Sequence, residues 1–361
     1  MAQTRLSSEI LIGGIDGGAS NSTLIVINGQ GKSLVTIKGD GTNYHLLGID
    51  EVARRISEMI NSAKHELGLS DSRHLDVVGI CLSGCPDQLT AEQLKQAIKN
   101  VNPEAAVDYV IKSDLISSLK TGLSSCGIII IAGTGSNAYL VDVDGTEHQC
   151  GGWGHMIGDE GGAYWISHRA CKYVIDDIDG LKKAPYSIDY IWSEMQNYYK
   201  ITDIHSMKMQ LYKKFSKNEF ALFAKHIAAG CKSGDSLCLS VLEKAGKYLA
   251  KHINALATKA SVDLLTASGG LKVVCVGTVW NSWEYLKKGF TEEIRRGGII
   301  NELTLYRLIT SAAVGACYLA ADMLTHDMGK MSREKNRELL YHYIRESDGT
   351  LKVLQDADKS T

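Results

Sequence analysis

Short apolar runs alternate with segments of helical periodicity along the first third of the chain. Apolar residues recur every three or four positions between Asp50 and Leu67, which predicts an amphipathic helix. The other elements predicted here are strands at 11–15, 77–82 and 109–111, and helices near 91–100 and 115–121. Alternating strands and helices predict an α/β lobe.

One pattern occurs twice, with Gly17 and Gly133 116 positions apart. The first turn, Gly17-Gly18-Ala19-Ser20-Asn21, and the second turn, Gly133-Thr134-Gly135-Ser136-Asn137, each follow an apolar run. Each copy then reaches an Asn-Gly or Asp-Gly pair, which is typical of a β-hairpin. Because glycine lets backbone amides approach an anion closely, the paired turns predict two phosphate-binding hairpins on duplicated lobes. Gly-rich hairpins that bind nothing remain the alternative.

Helical patterns dominate the second part of the chain, after a linker at 122–127. Predicted helices lie at about 163–177, 187–199, 205–215, 219–231, 236–259 and 311–324, with a strand at 271–276. The helix at 311–324 is rich in Ala and Gly, which suits close packing. The charged tail from 325 predicts a surface helix around 333–343. We therefore expect two lobes, 1–124 and 125–361.

Composition excludes several classes of protein. A net charge of −2 argues against a nucleic-acid partner, and no apolar stretch is long enough to span a membrane. Nine cysteines without a C-x-x-C motif, and no secretion signal, predict reduced thiols in a cytoplasmic protein. A zinc site at Cys81 and Cys85 is the disfavoured alternative, because a second pair is missing.

Two aspartates stand where predicted strands end. Asp16 directly precedes Gly17, and a divalent cation between its carboxylate and a phosphate is chemically sensible; Mg²⁺ is often held this way. Asp114 follows the strand at 109–111 and is a candidate general base for phosphoryl transfer. A turn-forming role for Asp16 and a helix N-cap role for Asp114 are the structural alternatives.

The loop at 151–162, here called the polyol loop, has an unusual composition. Its six glycines surround Trp153, His155 and the adjacent carboxylates of Asp159 and Glu160. Carboxylates accept hydrogen bonds from sugar hydroxyls, glycine exposes backbone groups, and an aromatic ring covers a sugar face. The loop therefore predicts sugar binding, and Asn43, after Thr42, is a further candidate for the same site.

These motifs carry a family resemblance. The two turns, Thr42-Asn43, the polyol loop, Ala163–Ile166 and Cys275–Trp280 resemble the actin-like ATPase superfamily, and within it the BadF/BadG-type eukaryotic N-acetyl-D-glucosamine kinases. The resemblance covers the chain to about residue 325. It implies an α/β fold with two actin-like (ribonuclease H-like) lobes around a central cleft, the second lobe enlarged by helices.

The resemblance also implies an activity and residue roles. It implies ATP- and Mg²⁺-dependent phosphorylation of the 6-hydroxyl of N-acetyl-D-glucosamine, an amino sugar, by a cytoplasmic homodimer. Matched by motif position, the catalytic base is Asp114, the sugar contacts are Asn43, Gly152, Trp153 and Asp159, and the nucleotide contacts are Ser20, Thr134, Thr278 and Ser282. Asp16 is the candidate Mg²⁺ ligand.

The first turn departs from the family pattern. Asn21 stands where these kinases usually carry Lys or Arg, which predicts lower nucleotide affinity or turnover. A catalytically weak sugar or nucleotide sensor, or a scaffold, is therefore the alternative function. A related activator of radical dehydratases would need cysteines for an iron–sulfur cluster, and no convincing pair is present.

Overall fold

The computed structural model describes residues 9–18, 21–83, 87–324, 333–346 and 350–357. The chain folds into two compact units, one formed by residues up to 125 with 308–338, the other by 126–307 with 339–361. Each unit thus contains two separate stretches of chain. This differs from the single boundary at 124/125 that the sequence suggested.

Strands β1–β12 and helices α1–α13 account for most of the described residues. The strands are β1 Leu11–Gly17, β2 Asn21–Asn28, β3 Ser33–Asp40, β4 Leu75–Leu82, β5 Ala106–Ser113, β6 Gly127–Ala132, β7 Ser136–Val141, β8 Glu147–Gly151, β9 Leu271–Val276, β10 Glu302–Leu308, β11 Arg337–Arg345 and β12 Leu351–Asp356. The helices are α1 Tyr44–Leu47, α2 Ile49–Glu66, α3 Gln88–Val101, α4 Asp114–Gly122, α5 Ala163–Ile178, α6 Asp189–Tyr199, α7 Met207–Tyr212, α8 Lys217–Leu222, α9 Ala224–Lys232, α10 Ser236–Ala257, α11 Val262–Leu265, α12 Trp283–Gly297 and α13 Ala313–Ala321. Within this part of the chain, none of the helices has the length and apolarity needed to cross a bilayer.

The sheet of the first unit has the strand order β3-β2-β1-β4-β5. β2 runs antiparallel to β1 and β3, while β4 and β5 continue the sheet in parallel from β1. Consequently β1, β3, β4 and β5 all end at one edge of this sheet, here called the first carboxyl edge. The turn between β1 and β2 lies at the same edge.

Helix α2 follows from its apolar spacing. Val52, Ile56, Met59 and Ile60 are buried and join the core on one face of the first sheet. Acidic residues occupy the first turn of the helix and Lys64 and His65 the last, which complements the helix dipole. The predicted helix from Asp50 is therefore confirmed.

Helix α13 packs against the first sheet although it lies far along the chain. Gly14 and Gly79 are paired neighbours on β1 and β4. A Cβ on Gly14 would lie 2.2 Å from the Ala313 carbonyl oxygen, and one on Gly79 would lie 2.0 Å from that of Ala316. Because the two glycines have no side chains, the backbone of α13 can pack directly against the sheet. The Ala- and Gly-rich sequence predicted this close packing, but its composition does not specify the partner.

We predict that Gly315→Ala destabilises the protein by roughly 2–3 kcal/mol, because overpacking has that order of cost. A Cβ at Gly315 would lie 1.8 Å from the Ser117 carbonyl oxygen of α4, so backbone must shift. Thermal and urea unfolding measure the effect. Gly133→Ala is the stability control, since no atom lies within 4 Å of its added Cβ. Equal stability of the two variants would contradict the packing argument.

The sheet of the second unit has the order β12-β11-β10-β9-β6-β7-β8. β6, β7 and β8 form an antiparallel meander, whereas β9 and β10 extend the sheet in parallel from β6. The predicted surface helix around 333–343 is wrong, because Arg337–Arg345 forms β11 and pairs with β12. Leu340, Tyr341 and Tyr343 bury their side chains in the second core. Strand β10 and helix α12 had no counterpart in the sequence prediction.

Candidate functional site

The first carboxyl edge gathers three of the predicted residues. Asp16 is the penultimate residue of β1, Asp114 follows β5, and Asn43 follows the end of β3. Asp16 pairs with Cys81 of β4, which in turn pairs with Lys112 of β5. The strands that carry the two carboxylates are therefore separated by one strand, or roughly 10 Å between strand axes.

Burial raises the pKa of both carboxyl groups. Burial raises the pKa of Asp16 to about 6, with a further increase from the charge of Asp114 and a smaller opposing effect of Lys38. Burial also raises the pKa of Asp114, although hydrogen bonds from Ser113 and the Leu115 amide oppose the shift. An elevated pKa suits a general base, because a more basic carboxylate takes a proton more readily.

Asp114 is free of the capping role that the sequence left open. The N-cap of α4 is Ser113, whose hydroxyl accepts a 3.2 Å hydrogen bond from the Leu115 amide. Asp114 is the first helical residue, and its Oδ1 accepts a 3.3 Å bond from the Ser113 hydroxyl. The N-cap alternative for Asp114 is therefore wrong.

The segment containing Asn43 is tied to the first turn. The Thr42 amide donates to the Gly18 carbonyl at 3.0 Å, and the buried Thr42 hydroxyl lies 2.9 Å from that of Ser22. Asn43 caps α1, with its Oδ1 accepting from the His45 amide. Ser20, the nucleotide contact predicted in this turn, lies outside the described residues.

The two aspartates also provide the chemistry of a magnesium site. Within the described ranges, no group of three or more His, Cys, Asp or Glu side chains is arranged to hold a metal ion. Mg²⁺ needs fewer protein ligands than that, because it is commonly held by one or two carboxylates, water and substrate phosphates. A cation beside Asp16 would also relieve the repulsion from Asp114, so the residues fit the ion.

In the second unit, two Gly-containing turns meet at the ends of β6 and β9. Gly277 has φ +105°, and a Cβ there would lie 2.4 Å from the Ala132 carbonyl oxygen. Only glycine suits both the backbone angle and the close approach. The turn at Gly277 therefore brings Thr278 towards the second turn, which contains Thr134.

Thr134, Thr278 and Ser282 line a single cavity of about 380 Å³. The rest of the wall is mainly apolar, with contributions from α5, α8, α9 and α10. The polar wall residues that the sequence analysis missed are Asn218, Lys225 and Asn281. An apolar cavity with a few polar groups is typical of a small-molecule site, and this one is large enough for a heteroaromatic base.

Hydrogen bonds connect the polyol loop and the start of α5 to the second turn. The amides of Ala163 and Tyr164 donate to the carbonyls of Gly133 and Thr134 at 2.8 and 2.9 Å. The Ser136 hydroxyl donates to the Glu160 carbonyl at 2.8 Å. The loop and the turn are therefore held together by hydrogen bonds.

Gly152 and Trp153 occupy the open part of the polyol loop. Trp153 is 74% exposed, and Gly152 has φ +80°. The Gly152 amide donates to the Ser136 carbonyl at 3.2 Å, and the Asn137 side chain lies close by. Asn137 Oδ1 is buried with no hydrogen-bond partner in the described structure, which makes it an acceptor that the sequence analysis did not single out.

Asp159 is buried beneath the second turn, with only 4% of its surface exposed. Its φ of +65° is unusual for a residue with a side chain and marks a position held by its surroundings. Oδ1 accepts from the Ser136 amide at 3.1 Å, and Oδ2 accepts from Lys217 Nζ at 3.0 Å. A carboxylate has about four lone-pair positions, so these two hydrogen bonds leave others unfilled.

Cysteine chemistry contributes nothing to either group of residues. The cysteines in the described part of the chain form no disulfides, and most are buried. Burial raises the pKa of Cys171 and Cys231 to about 12, so these thiols stay protonated. They behave as small apolar core residues.

Comparison with known proteins places this geometry in context. The N-acetyl-D-glucosamine kinase of Dictyostelium discoideum is 27% identical over 270 residues, covering 72% of this chain and 82% of the relative. The N-acetylmuramic acid/N-acetylglucosamine kinase of Clostridium acetobutylicum is 25% identical over 266 residues, covering 72% and 84%.

A solved structure from Chromobacterium violaceum, provisionally named as an N-acetylglucosamine kinase, matches with a TM-score of 0.64 at 20% identity. The alignment covers 86% of this chain and 99% of the chain in that structure. The likeness confirms the predicted α/β fold with two actin-like lobes. The profile of the BadF/BadG/BcrA/BcrD ATPase family matches residues 14–320, which include both Gly-rich turns and the polyol loop. The chain belongs to the BadF/BadG/BcrA/BcrD ATPase family.

Proposed function

We propose that this protein is an ATP-dependent kinase that phosphorylates the 6-hydroxyl of N-acetyl-D-glucosamine. The observation that carries the proposal is Asp114, a half-buried carboxylate at the first carboxyl edge that is not the N-cap of α4. A primary hydroxyl must lose its proton as its oxygen bonds to phosphorus. Asp114 accepts that proton, and ADP departs with the electrons of the broken phosphoanhydride bond.

Asp16 would hold Mg²⁺ on the same edge. The bound ion neutralises charge on the phosphates. Asn43 follows β3, which β2 separates from β1, and its cap on α1 fixes its position. It is proposed to donate to a sugar hydroxyl.

Nucleotide binding is assigned to the cavity in the second unit. The hydroxyls of Thr134, Thr278 and Ser282 would bond the ribose and phosphates, while the apolar wall covers the base. Ser20 of the first turn is proposed to contact the nucleotide as well. The family match to an ATPase profile supports this use of the cavity.

Sugar binding is assigned to the polyol loop. Trp153 offers an exposed aromatic face, Gly152 leaves its backbone accessible, and Asp159 retains lone pairs. The printed activities of the Dictyostelium and Clostridium relatives support an N-acetylated amino sugar as substrate. By the same resemblance we propose a cytoplasmic homodimer, which light scattering of the purified protein tests.

A sugar or nucleotide sensor of low activity is the second candidate. It is favoured by Asn21, which leaves the first turn without a basic side chain. The raised pKa of the Asp114 carboxyl favours the kinase, because a sensor does not need a general base.

A coupled assay of ADP release separates these functions. We expect release that depends on N-acetylglucosamine, is much slower with glucose, and is negligible without sugar. ³¹P–¹H NMR of the product then identifies the phosphorylated position. Release at one rate in all three conditions would contradict the kinase, and nucleotide binding without release would indicate the sensor.

We predict that Ala228→Phe raises the KM for ATP by at least about tenfold, because the ring would occupy the cavity that Ala228 lines. Sugar affinity, measured without nucleotide, should stay within about twofold. Ala229→Phe is the matched control, since Ala229 is the next residue of α9 and is exposed. Equal ATP KM values for the two variants would place the nucleotide elsewhere.

A further inference from the structure

Neither Gly-rich turn carries a basic side chain. The sequences are Gly17-Gly18-Ala19-Ser20-Asn21 and Gly133-Thr134-Gly135-Ser136-Asn137. Proteins that bind polyphosphates normally provide cationic side chains as well as backbone amides, because the transferred group and its neighbours carry several negative charges. The positive charge must therefore come from residues distant in sequence.

Asp159 increases the need for positive charge at the second turn. Its carboxylate lies directly behind Gly135, where an added Cβ would be 2.5 Å from Oδ1 and 2.6 Å from Oδ2. A buried carboxylate at that position orients the Ser136 amide, yet its charge would repel a phosphate on the turn. The local charge at the turn is thus unfavourable for an anion.

Lys217 offsets the negative charge of Asp159. It is the first residue of α8, and its Nζ lies 3.0 Å from Asp159 Oδ2. About a third of the Lys217 side chain is exposed, whereas Asp159 is almost fully buried. The ammonium therefore lies between the buried carboxylate and solvent, where it can neutralise the one and attract an anion from the other.

The position of α8 links this ion pair to the nucleotide cavity. Asn218, Ala221 and Leu222 of the same helix line that cavity, as does Thr134 of the second turn. Lys225 also lines the cavity, from α9, but only Lys217 among the described lysines pairs with the carboxylate behind the turn. The contact network runs from the turn through Asp159 and Lys217 into the cavity wall.

We propose that Lys217 is a positioning residue that makes the second turn competent to bind the nucleotide phosphates, by neutralising Asp159 and placing an ammonium group beside the turn. The inference rests on the proposed use of ATP and deepens it. It explains how a Gly-rich turn with a buried acid behind it binds an anion. It also predicts that the charge of Asp159 is harmful whenever Lys217 is lost.

Binding of Mg²⁺–ADP without sugar, measured by isothermal titration calorimetry, tests the proposal. We expect Lys217→Gln to weaken binding roughly ten- to fiftyfold, the order expected for removing one unit charge about 7–12 Å from the phosphates at an effective dielectric near 20. Lys217→Arg should stay within about threefold of the parent. The double variant Asp159→Asn with Lys217→Gln should recover at least about fivefold over Lys217→Gln alone, because the amide still accepts from Ser136 but carries no charge.

Lys214→Gln is the matched control, since Lys214 is exposed and lies three residues earlier in the chain. Melting temperatures of the ligand-free variants identify any loss of folding. A merely structural role for Lys217 predicts that the melting temperature falls with ADP binding in Lys217→Gln and recovers with it in the double variant, because neutralising Asp159 also removes an unpaired buried charge. The proposed role predicts a loss and recovery of ADP binding at a nearly constant melting temperature. Binding by a folded Lys217→Gln within twofold of the parent overturns the proposal, as does a double variant no better than the single one. A parent that binds no nucleotide overturns the proposed function as well, so the two failures are distinguishable.

Discussion

Asp114→Asn is expected to lower kcat by roughly 10²–10⁴, the usual contribution of general base catalysis. Asparagine keeps the shape of the side chain but cannot take a proton from the sugar hydroxyl. Ser113, not Asp114, caps α4, so the substitution leaves the helix start intact. The melting temperature and the sugar affinity should therefore change little.

Ser113→Ala provides the contrasting variant. Loss of its cap should cost about 1 kcal/mol of stability, with a much smaller effect on kcat than Asp114→Asn. Steady-state kinetics, sugar titration and thermal unfolding of both variants give the comparison. A folded Asp114→Asn protein with parental kcat would show that another group is the base.

The pH dependence follows from the environment of Asp114. Burial raises the pKa of this carboxyl, and a base works only when it is deprotonated. We expect kcat to fall on the acid side, with an apparent pKa above the usual carboxyl range. A profile that stays flat down to pH 4 would contradict the assignment, provided that the protein remains folded there.

Asp16→Asn is expected to abolish most activity while making the protein more stable at neutral pH. Loss of the carboxylate removes the proposed Mg²⁺ ligand and lowers kcat by at least about 10², a magnitude typical for losing an electrostatic group at a reacting centre. The gain in stability has a separate origin, in the pKa of Asp16 itself.

The sign of the stability change follows from proton linkage. The pKa of Asp16 is 3.8 in the reference state and about 6 in the fold, so the folded protein binds this proton more tightly. Ionised Asp16 therefore destabilises the fold above pH 6, by up to about 3 kcal/mol, and this penalty disappears as the pH falls below 3.8. Asparagine never ionises, so it removes the penalty.

Thermal unfolding in metal-free buffer at pH 7.5 and near pH 4 measures this effect. The variant should be the more stable protein at pH 7.5, and the difference should shrink at pH 4. Asp40→Asn is the control, because Asp40 ends β3 at the same edge but is exposed, and a change below about 0.5 kcal/mol is expected. An Asp16→Asn protein less stable than the parent at pH 7.5 would contradict the role of burial.

Local patterns predicted the elements that bury a regular face. The strand at 271–276 and the helices α2, α5 and α10 follow from periodicity alone, because their apolar side chains meet one core. The helix predicted around 333–343 was wrong. That prediction relied on the high charge of the segment and not on the spacing of its apolar residues. Tyr341 and Tyr343 alternate as strand residues do, and their strand depends on partners that only the folded sheet supplies.

The candidate site also contains some residues that the sequence could predict and others that it could not. Asp16 and Asp114 could be predicted because parallel strands end at a common edge, so residues after such strands come together. Thr134 and Thr278 follow strand ends as well. Lys217, Asn218 and Lys225 could not be predicted, because α8 and α9 carry no motif and reach the cavity only through tertiary packing.

The late position of α13 has a consequence for biosynthesis. The first sheet leaves the ribosome long before residues 313–321, so the face around Gly14 and Gly79 stays uncovered while most of the second unit is made. During that interval Ile12, Ile25 and Val77, which α13 later covers, face solvent or a chaperone. Nascent chains released before residue 313 should therefore aggregate or be degraded, whereas chains that include α13 cover this face of the sheet.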